Sequence, residues 1–246
     1  MSRAAAAIGA VLAALPLVTA CESTQEKSAK IGREARKLVS ERGLVVGRRN
    51  PEVRVVATTA LHDANGTAVV VVLRNRSKRP LAALPLAINV RGARGRSLFK
   101  NDAPGLQPSL VQAALLPPHG ELEWVNDQVQ TASTPRSVAA RVGMAPRPAP
   151  AALPRLTVSR VRLEADPVSG IAAVGRVENH SKLDQRKLVV FVVARRHGRV
   201  VAAGRGLVQR LRPGKSGAFK VFFIGDPRGA RLNARAPPTS IGQARR

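Results

Sequence analysis

Four histidines and one close pair of glutamates are the side chains best suited to acid–base or metal chemistry. The histidines fall in predicted turns, and no two of them have the i, i+4 or short-loop spacing that zinc sites use. They are His62, His119, His180 and His197. Glu121 and Glu123 alternate on one face of a predicted strand, where solubility at a sheet edge accounts for both. No Gly-x-Ser-x-Gly elbow or phosphate-binding glycine loop occurs. The sequence therefore predicts no catalytic residue, metal site or cofactor, no enzyme and no small-molecule substrate.

Positive charge is the other chemical feature, with 41 Lys and Arg against 15 Asp and Glu and a net charge of +26. Two groups of arginines flank predicted hairpins at like positions in the two halves of the chain. They are Arg91, Arg94 and Arg96 in the first half and Arg195, Arg196 and Arg199 in the second. Because arginine forks suit bidentate phosphate contacts, both tips are candidate sites for an anionic surface. A solvated surface that reflects an arginine-rich composition is the open alternative.

Nucleic acid is not an expected partner. Aromatic residues make up 2% of the chain, which leaves few side chains on which bases could stack. The pattern also contains no recognition helix. Anionic wall polymer or lipid phosphate is therefore the expected ligand class if the charge has a function.

The N-terminal segment indicates export and lipid attachment. Arg3 precedes an apolar run from Ala4 to Ala20, and small residues stand immediately before Cys21, the only cysteine. The arrangement resembles the lipobox of bacterial lipoproteins, in which a signal peptidase cleaves before the cysteine that receives the lipid. The resemblance implies removal of residues 1–20, a lipid on Cys21 and an extracytoplasmic, membrane-anchored protein. An ordinary secretory signal or an uncleaved anchor is the alternative.

Short β-branched runs that alternate with turn signals predict an all-β fold of two tandem Ig-like antiparallel sandwiches behind a short helix or tether. The first six predicted strands are Val53–Leu61, Thr67–Arg74, Leu86–Val90, Ser109–Leu116, Glu121–Asp127 and Ser137–Val142. The second half contains Leu156–Ala165, Ile171–Glu178, Leu188–Ala194, Val200–Ala203, Gly206–Leu211, Ala218–Ile224 and Ala230–Ala234. The valines within Thr67–Arg74 are typical of a strand buried on both sides.

Six segments follow from these patterns. They are a signal peptide (1–20), a lipidated, partly helical tether (21–52), a first sandwich (53–144), a proline-rich linker (145–154), a second sandwich (155–236) and a disordered basic tail (237–246). Aromatic residues are expected in the cores of the sandwiches. They are Trp124, Phe191, Phe219, Phe222 and Phe223.

The two halves repeat each other. Asn75-Arg76-Ser77 ends the second strand of the first half, and Asn179-His180-Ser181 ends its counterpart; both fit the glycosylation sequon but are expected to bond local backbone in turns. The first half alone carries an insertion, Asn101–Pro108. Residues 155–236, with a Leu-x-Pro-Gly-x-Ser turn before the last strands, resemble Ig-like extracytoplasmic domains of the FxLYD kind. The whole chain is similar to actinobacterial lipoproteins.

These features together predict a non-catalytic, lipid-anchored protein of the cell envelope. The first expectation is a protein-binding or scaffolding adaptor that uses a sheet edge or the insertion. The alternative is an electrostatic binder of anionic wall polymer or lipid headgroups.

Overall fold

The computed structural model describes residues 43–146, 148–150, 152–166 and 170–242. The predicted signal peptide, Cys21 and the tether as far as residue 42 lie outside the described residues. The described part is all-β and built from antiparallel sheets, which confirms the predicted fold class.

The strands of the first half are β1 (Val53–Asp63), β2 (Gly66–Asn75), β3 (Leu81–Arg91), β4 (Ser97–Lys100), β5 (Gln112–Leu116), β6 (Glu121–Val129) and β7 (Ser137–Val142). Those of the second half are β8 (Leu156–Asp166), β9 (Gly170–Asn179), β10 (Gln185–Arg196), β11 (Arg199–Leu211), β12 (Ser216–Phe222), β13 (Ile224–Gly225) and β14 (Arg231–Arg235). A short helix, α1 (Pro108–Val111), precedes β5, and a 3-10 turn occupies Ala93–Gly95.

Four sheets make up the fold. In the first half, β3 pairs with β4, β5 and β7 to form sheet I, which packs on sheet II, β1-β2-β6. In the second half, sheet III, β13-β11-β10-β14, packs on sheet IV, β12-β9-β8. Sheets II and III also share a core, so the four sheets stack in the order I, II, III, IV.

Strand β2 is buried on both faces, which explains its run of valines. Val71 lies opposite Trp124, which is fully buried, and Val72 lies opposite Glu123, whose side chain contacts sheet III. Because successive strand residues point to opposite faces, Val71 faces sheet I and Val72 faces sheet III. Such a strand cannot alternate apolar and polar residues, since neither of its faces meets water.

The contact between sheets II and III has an apolar centre, and the carboxylates of Asp63, Glu123 and Asp127 make hydrogen bonds across it. Phe191, Val193 and Ile224 from the second half join the same buried cluster as Ala68 and Val70. Their burial removes apolar surface from water, which is the main stabilising term for such a contact. The two sandwiches are therefore joined by their sheet faces as well as by the chain that connects them.

The two Asn-x-Ser tripeptides make matching networks, as the sequence predicts. Asn75 Oδ1 accepts hydrogen bonds from Ser77 N and Oγ, both at 2.8 Å, and its Nδ2 donates to Arg79 O at 2.7 Å. Asn179 Oδ1 accepts from Ser181 N at 3.0 Å and from Ser181 Oγ at 2.7 Å. Both asparagines are 1% exposed, so neither is accessible for glycosylation.

The insertion replaces part of a strand. Its first residue, Asn101, is 1% exposed; its Oδ1 accepts from Ile88 N at 2.7 Å and its Nδ2 donates to Leu86 O at 2.8 Å. These are backbone groups of β3 that lie between its pairings with β4 and β5. The side-chain amide of Asn101 thus makes the hydrogen bonds to β3 that a neighbouring strand would otherwise make. In the second half, the uninterrupted strand β11 occupies the corresponding place.

Three strand predictions were wrong in detail. Ser109 begins no strand because Pro108 starts the short helix α1. Val200–Ala203 and Gly206–Leu211 were predicted as two strands but form the single strand β11, which continues through Gly204 and Gly206. A Cβ at Gly204 would lie 1.9 Å from Phe222 O. These glycines allow β12 to approach closely. Strand β4 was not predicted.

Both ends of the predicted sandwich region extend further than expected. At the tether side, Asn50 N donates to Val142 O at 3.0 Å, which attaches residues 49–52 to the first sandwich. At the other end, Gln185 Nε2 donates to Ser240 O at 2.9 Å and Thr239 Oγ1 donates to Arg186 O at 2.9 Å. The expected disorder from residue 237 is therefore wrong for 237–242, because these residues bond to β10.

Candidate functional site

The outer face and the hairpin end of sheet I carry a group of cations that we call the cationic face. Its members are Arg91, Arg94, Arg96, Lys100, Arg136 and Arg141, all exposed. Lys100 pairs with Asn89 and Arg141 pairs with Ala87, so their side chains share the face of β3 that points away from the core. Arg91 lies diagonally from Lys100, a separation of about 7–8 Å between such neighbours.

The hairpin tip brings two further arginines to the cationic face. Arg94 has a φ of 55° in the 3-10 turn between β3 and β4, and Arg96 follows that turn directly. Arg136 lies beside the same end of the sheet, since its backbone N donates to Arg91 O at 2.7 Å. Left-handed backbone at Arg94 reverses the chain tightly, which keeps these side chains together at the end of the sheet.

No carboxylate neutralises the cationic face within the described part of the chain. None of its six members takes part in an ion pair there, and residues 81–100 and 128–163 contain no Asp or Glu. A sheet face with one sign of charge attracts counter-ions and anionic partners.

Three acidic side chains, Asp63, Glu123 and Asp127, lie instead at the contact between sheets II and III. Glu123 Oε1 accepts from Arg195 Nη2 at 2.5 Å, and its Oε2 accepts from Asn233 Nδ2 at 2.6 Å. Asp63 Oδ2 accepts from Gly225 N at 2.7 Å. The prediction that Glu123 serves solubility at a sheet edge is therefore wrong, because sheet III covers it to 8% exposure.

Asp127 and Arg205 form a second buried pair at the same contact. Asp127 Oδ2 accepts from Arg205 N at 2.9 Å, and Arg205 Nη2 donates to Ser109 Oγ at 2.9 Å. Burial raises the pKa of Asp127 above its ordinary value of 3.8, and the charge of Arg205 opposes this only in part. Burial likewise lowers the pKa of Arg205.

The raised pKa of Asp127 makes a measurable contribution to the pH dependence of stability. In the range above pH 3.8 the native carboxyl retains its proton when the unfolded one has lost it, so this contribution to stability falls as pH rises. The quantity to compare is the free energy of unfolding of the parent chain minus that of the Asp127→Asn variant. We expect this difference to decrease between about pH 4 and about pH 7. Urea denaturation at both pH values measures it; a difference that grows with pH contradicts the assignment.

The second arginine tip differs from the first. Arg195 is held by Glu123 and donates from Nη1 to Gly198 O at 2.9 Å, and Arg196 Nη2 donates to Arg228 O. Only Arg199 of this group is exposed without a bonded partner among the described residues. The expectation of two like tips is therefore wrong, since sheet II draws Arg195 into the contact between the sandwiches.

The cationic face contains residues that the sequence interpretation missed, namely Lys100, Arg136 and Arg141. Two signals could have found them: the long acid-free stretches, and the period of two that places Arg141 on the opposite face from the core residue Val142.

The remaining candidates behave as structural or solvated groups. Phe191, Phe219 and Phe223 are buried as predicted, whereas Phe222 is 41% exposed and was wrongly placed in the core. All four histidines are exposed. Within the described ranges, no three His, Cys, Asp or Glu side chains lie close enough to hold a metal ion together. No helix in those ranges is both long and apolar enough to span a membrane.

No protein-family model matches the chain, and no curated protein matches it significantly.

Proposed function

We propose that this protein is a non-catalytic, lipid-anchored component of the cell envelope that binds a phosphate-bearing polyanion through the cationic face. The observation that carries the proposal is the collection of six exposed cations at one sheet, none of which forms an ion pair in the described part of the chain. The lipobox and Cys21 support the location, because they would place the sandwiches at a membrane rich in phosphate groups.

The form of the cationic face suits an extended ligand. Two small side chains lie near its centre, Ala87, which pairs with Arg141, and Ala139, which pairs with Asn89, and they leave the cations accessible from above the sheet. Arginine guanidinium groups offer two parallel donors to a phosphate, and their bonds to charged oxygens are shorter and stronger than neutral ones. Several such contacts along one polymer or headgroup layer release several counter-ions, so binding should depend steeply on salt.

Nucleic acid is a poorer fit than wall polymer or lipid phosphate. Binding of single strands relies on aromatic side chains on which bases stack. Phe99, the aromatic residue of β4, packs against the core instead of the cationic face. Contacts with the cationic face would therefore involve the phosphates of a nucleic acid and leave its bases unused.

The adaptor expectation has less support than the polyanion proposal. Its insertion is held to β3 by Asn101, and the outer edge of sheet IV is interrupted by a bulge in β8 between Ser159 and Arg162. A bulge disrupts the ladder that a partner strand would need, so that edge is poorly suited to strand addition.

The test compares two triple variants that remove equal charge. We expect Arg91→Gln, Arg94→Gln and Arg96→Gln together to weaken binding at least about tenfold and to reduce the salt slope by about two to three. The control replaces three exposed cations of the second half and should change affinity by less than about threefold. The control residues are Arg199, Arg212 and Lys215.

Binding of the full chain is measured across a salt series with three probes: vesicles that contain phosphatidylglycerol, a poly(glycerol phosphate), and duplex DNA. Tighter binding to the vesicles or to the polymer identifies the source of the phosphate. Equal losses in both triple variants, or equal affinity for all three probes, would show that the charge acts without a site and would overturn the proposal.

A further inference from the structure

A cavity of about 380 Å³ lies where the two sandwiches and the insertion meet. Its volume falls in the range of about 300–1,000 Å³ that is usual for ligand pockets. The insertion and α1 contribute Pro108, sheet III contributes Val189 and Leu207, and the C-terminal segment contributes Ile241. Leu207 is 45% exposed, although three neighbouring elements surround this space. The cavity is separate from the cationic face and is not used by the proposed function.

The walls of the cavity are held in place by buried hydrogen bonds. Ser109 O accepts from Trp124 Nε1 at 3.0 Å, and Ser109 Oγ accepts from Arg205 Nη2. On the opposite side, Gln185 Oε1 accepts from Thr239 N at 3.0 Å, which holds the segment that leads to Ile241. These hydrogen bonds hold the α1 side and the C-terminal side of the cavity apart, so that their apolar side chains line an open space between them.

Equivalent left-handed strand residues of the two sandwiches meet at this cavity. Ala83 and Lys187 each follow the buried asparagine of their own half by eight residues, and each has a φ of 49°. A left-handed backbone is uncommon for residues other than glycine, and it turns each side chain away from the direction that regular alternation would give it. Both residues line the cavity, so the same irregularity of the repeated fold is used twice at one place.

The charged residues that line the cavity are cations, and its other polar residues are uncharged. Arg186 and Lys187 are exposed lining residues, and no lining residue in the described chain is Asp or Glu. Asp184 forms ion pairs with two arginines: its Oδ2 lies 3.6 Å from Arg186 Nε and 2.8 Å from Arg210 Nε. One carboxylate therefore faces two positive charges. Lys187 has no ion-pair partner among the described residues, so the lining has an excess of positive charge.

We propose that this cavity binds a single-chain anionic amphiphile of the fatty-acid class. The acyl chain lies against Val189, Leu207 and Ile241, and the carboxylate meets Lys187 and Arg186. Apolar lining with a few polar groups at one end is the general form of such sites, and the excess charge selects an anionic headgroup over a neutral one.

The experiment uses isothermal titration calorimetry of the full chain with laurate, and with dodecanol as the neutral probe of equal chain length. We expect saturable binding of laurate and at least about tenfold weaker binding to Leu207→Glu, since this change places a charge in the apolar wall. Phe222→Glu is the matched control, because it adds the same charge at a side chain of similar exposure on the outer face of sheet IV. Its affinity should equal that of the parent chain.

Lys187→Asn tests the headgroup contact. Asparagine tolerates the left-handed backbone, so this variant removes charge with little strain. We expect it to weaken laurate binding about fivefold and to leave dodecanol binding unchanged. The absence of saturable laurate binding, an equal loss in Phe222→Glu, or equal losses for both probes in Lys187→Asn would each overturn the proposal.

Discussion

Replacing Glu123 by glutamine is expected to lower the free energy of unfolding by about 3 kcal/mol, because it leaves a partly buried guanidinium without its carboxylate. Glu123 binds Arg195 with one oxygen and Asn233 with the other. A glutamine has a single oxygen, so its amide group must oppose one of these two donors. Urea denaturation followed by the fluorescence of Trp124, the only tryptophan, measures the change.

Glu121 provides the matched control two residues away on the same strand face. Its side chain is half exposed and lies 3.6 Å from Arg74, so Glu121→Gln should cost less than about 0.5 kcal/mol. Adding Arg195→Met to Glu123→Gln should restore part of the loss, since it removes the unpaired charge. Equal costs for Glu121→Gln and Glu123→Gln would show that the contact between sheets II and III does not hold in solution.

Asn179→Ala is the second change with a large expected effect, again about 3 kcal/mol of lost stability. The side chain donates to Leu183 O at 2.8 Å and to Leu211 O at 3.0 Å, and it also accepts from Ser181. Alanine leaves these backbone groups without a partner in a site that excludes water. Asn75→Ala should cost a similar amount, because its network matches.

Both asparagine variants should still unfold in one transition, since sheets II and III share a core that couples the two halves. Denaturation monitored by circular dichroism and by Trp124 fluorescence should give coincident curves. Asn65→Ala is the control: Asn65 belongs to the same Asn-x-Ser/Thr pattern but is exposed, and its side chain makes no hydrogen bond within the described chain. A cost for Asn65→Ala equal to that for Asn179→Ala would contradict the assignment.

The strands, the internal repeat and the asparagine turns could be predicted from local patterns in the sequence. Each depends on residues close together in the chain, such as the period-two alternation or the Asn-x-Ser contact over two residues. The same alternation could have excluded Phe222 from the core, because Phe219 and Val221 face inward and Phe222 has the opposite parity.

What the sequence interpretation missed depends on contacts between distant segments. Glu121 and Glu123 share a strand face, and only the packing of sheet III distinguishes the exposed one from the buried one. Arg195 and Arg91 occupy like positions in the repeat, yet only Arg195 meets a second sandwich. Alternation predicts which face a residue occupies, but it does not tell which face another sheet will cover.

The stack of sheets also explains why the packing of one sandwich on the next ends within a single chain. Sheets II and III meet through unlike faces, so the same contact between molecules would give an open-ended filament. The repeat relates Val72 of sheet II to Arg176 of sheet IV, since each stands three residues before the buried asparagine of its half. It likewise relates Val193 of sheet III to Asn89 of sheet I. A further copy would have to bury a guanidinium and an amide in place of two valines, which costs free energy. The polar outer sheets are therefore poorly suited to repeat this contact with a neighbouring molecule.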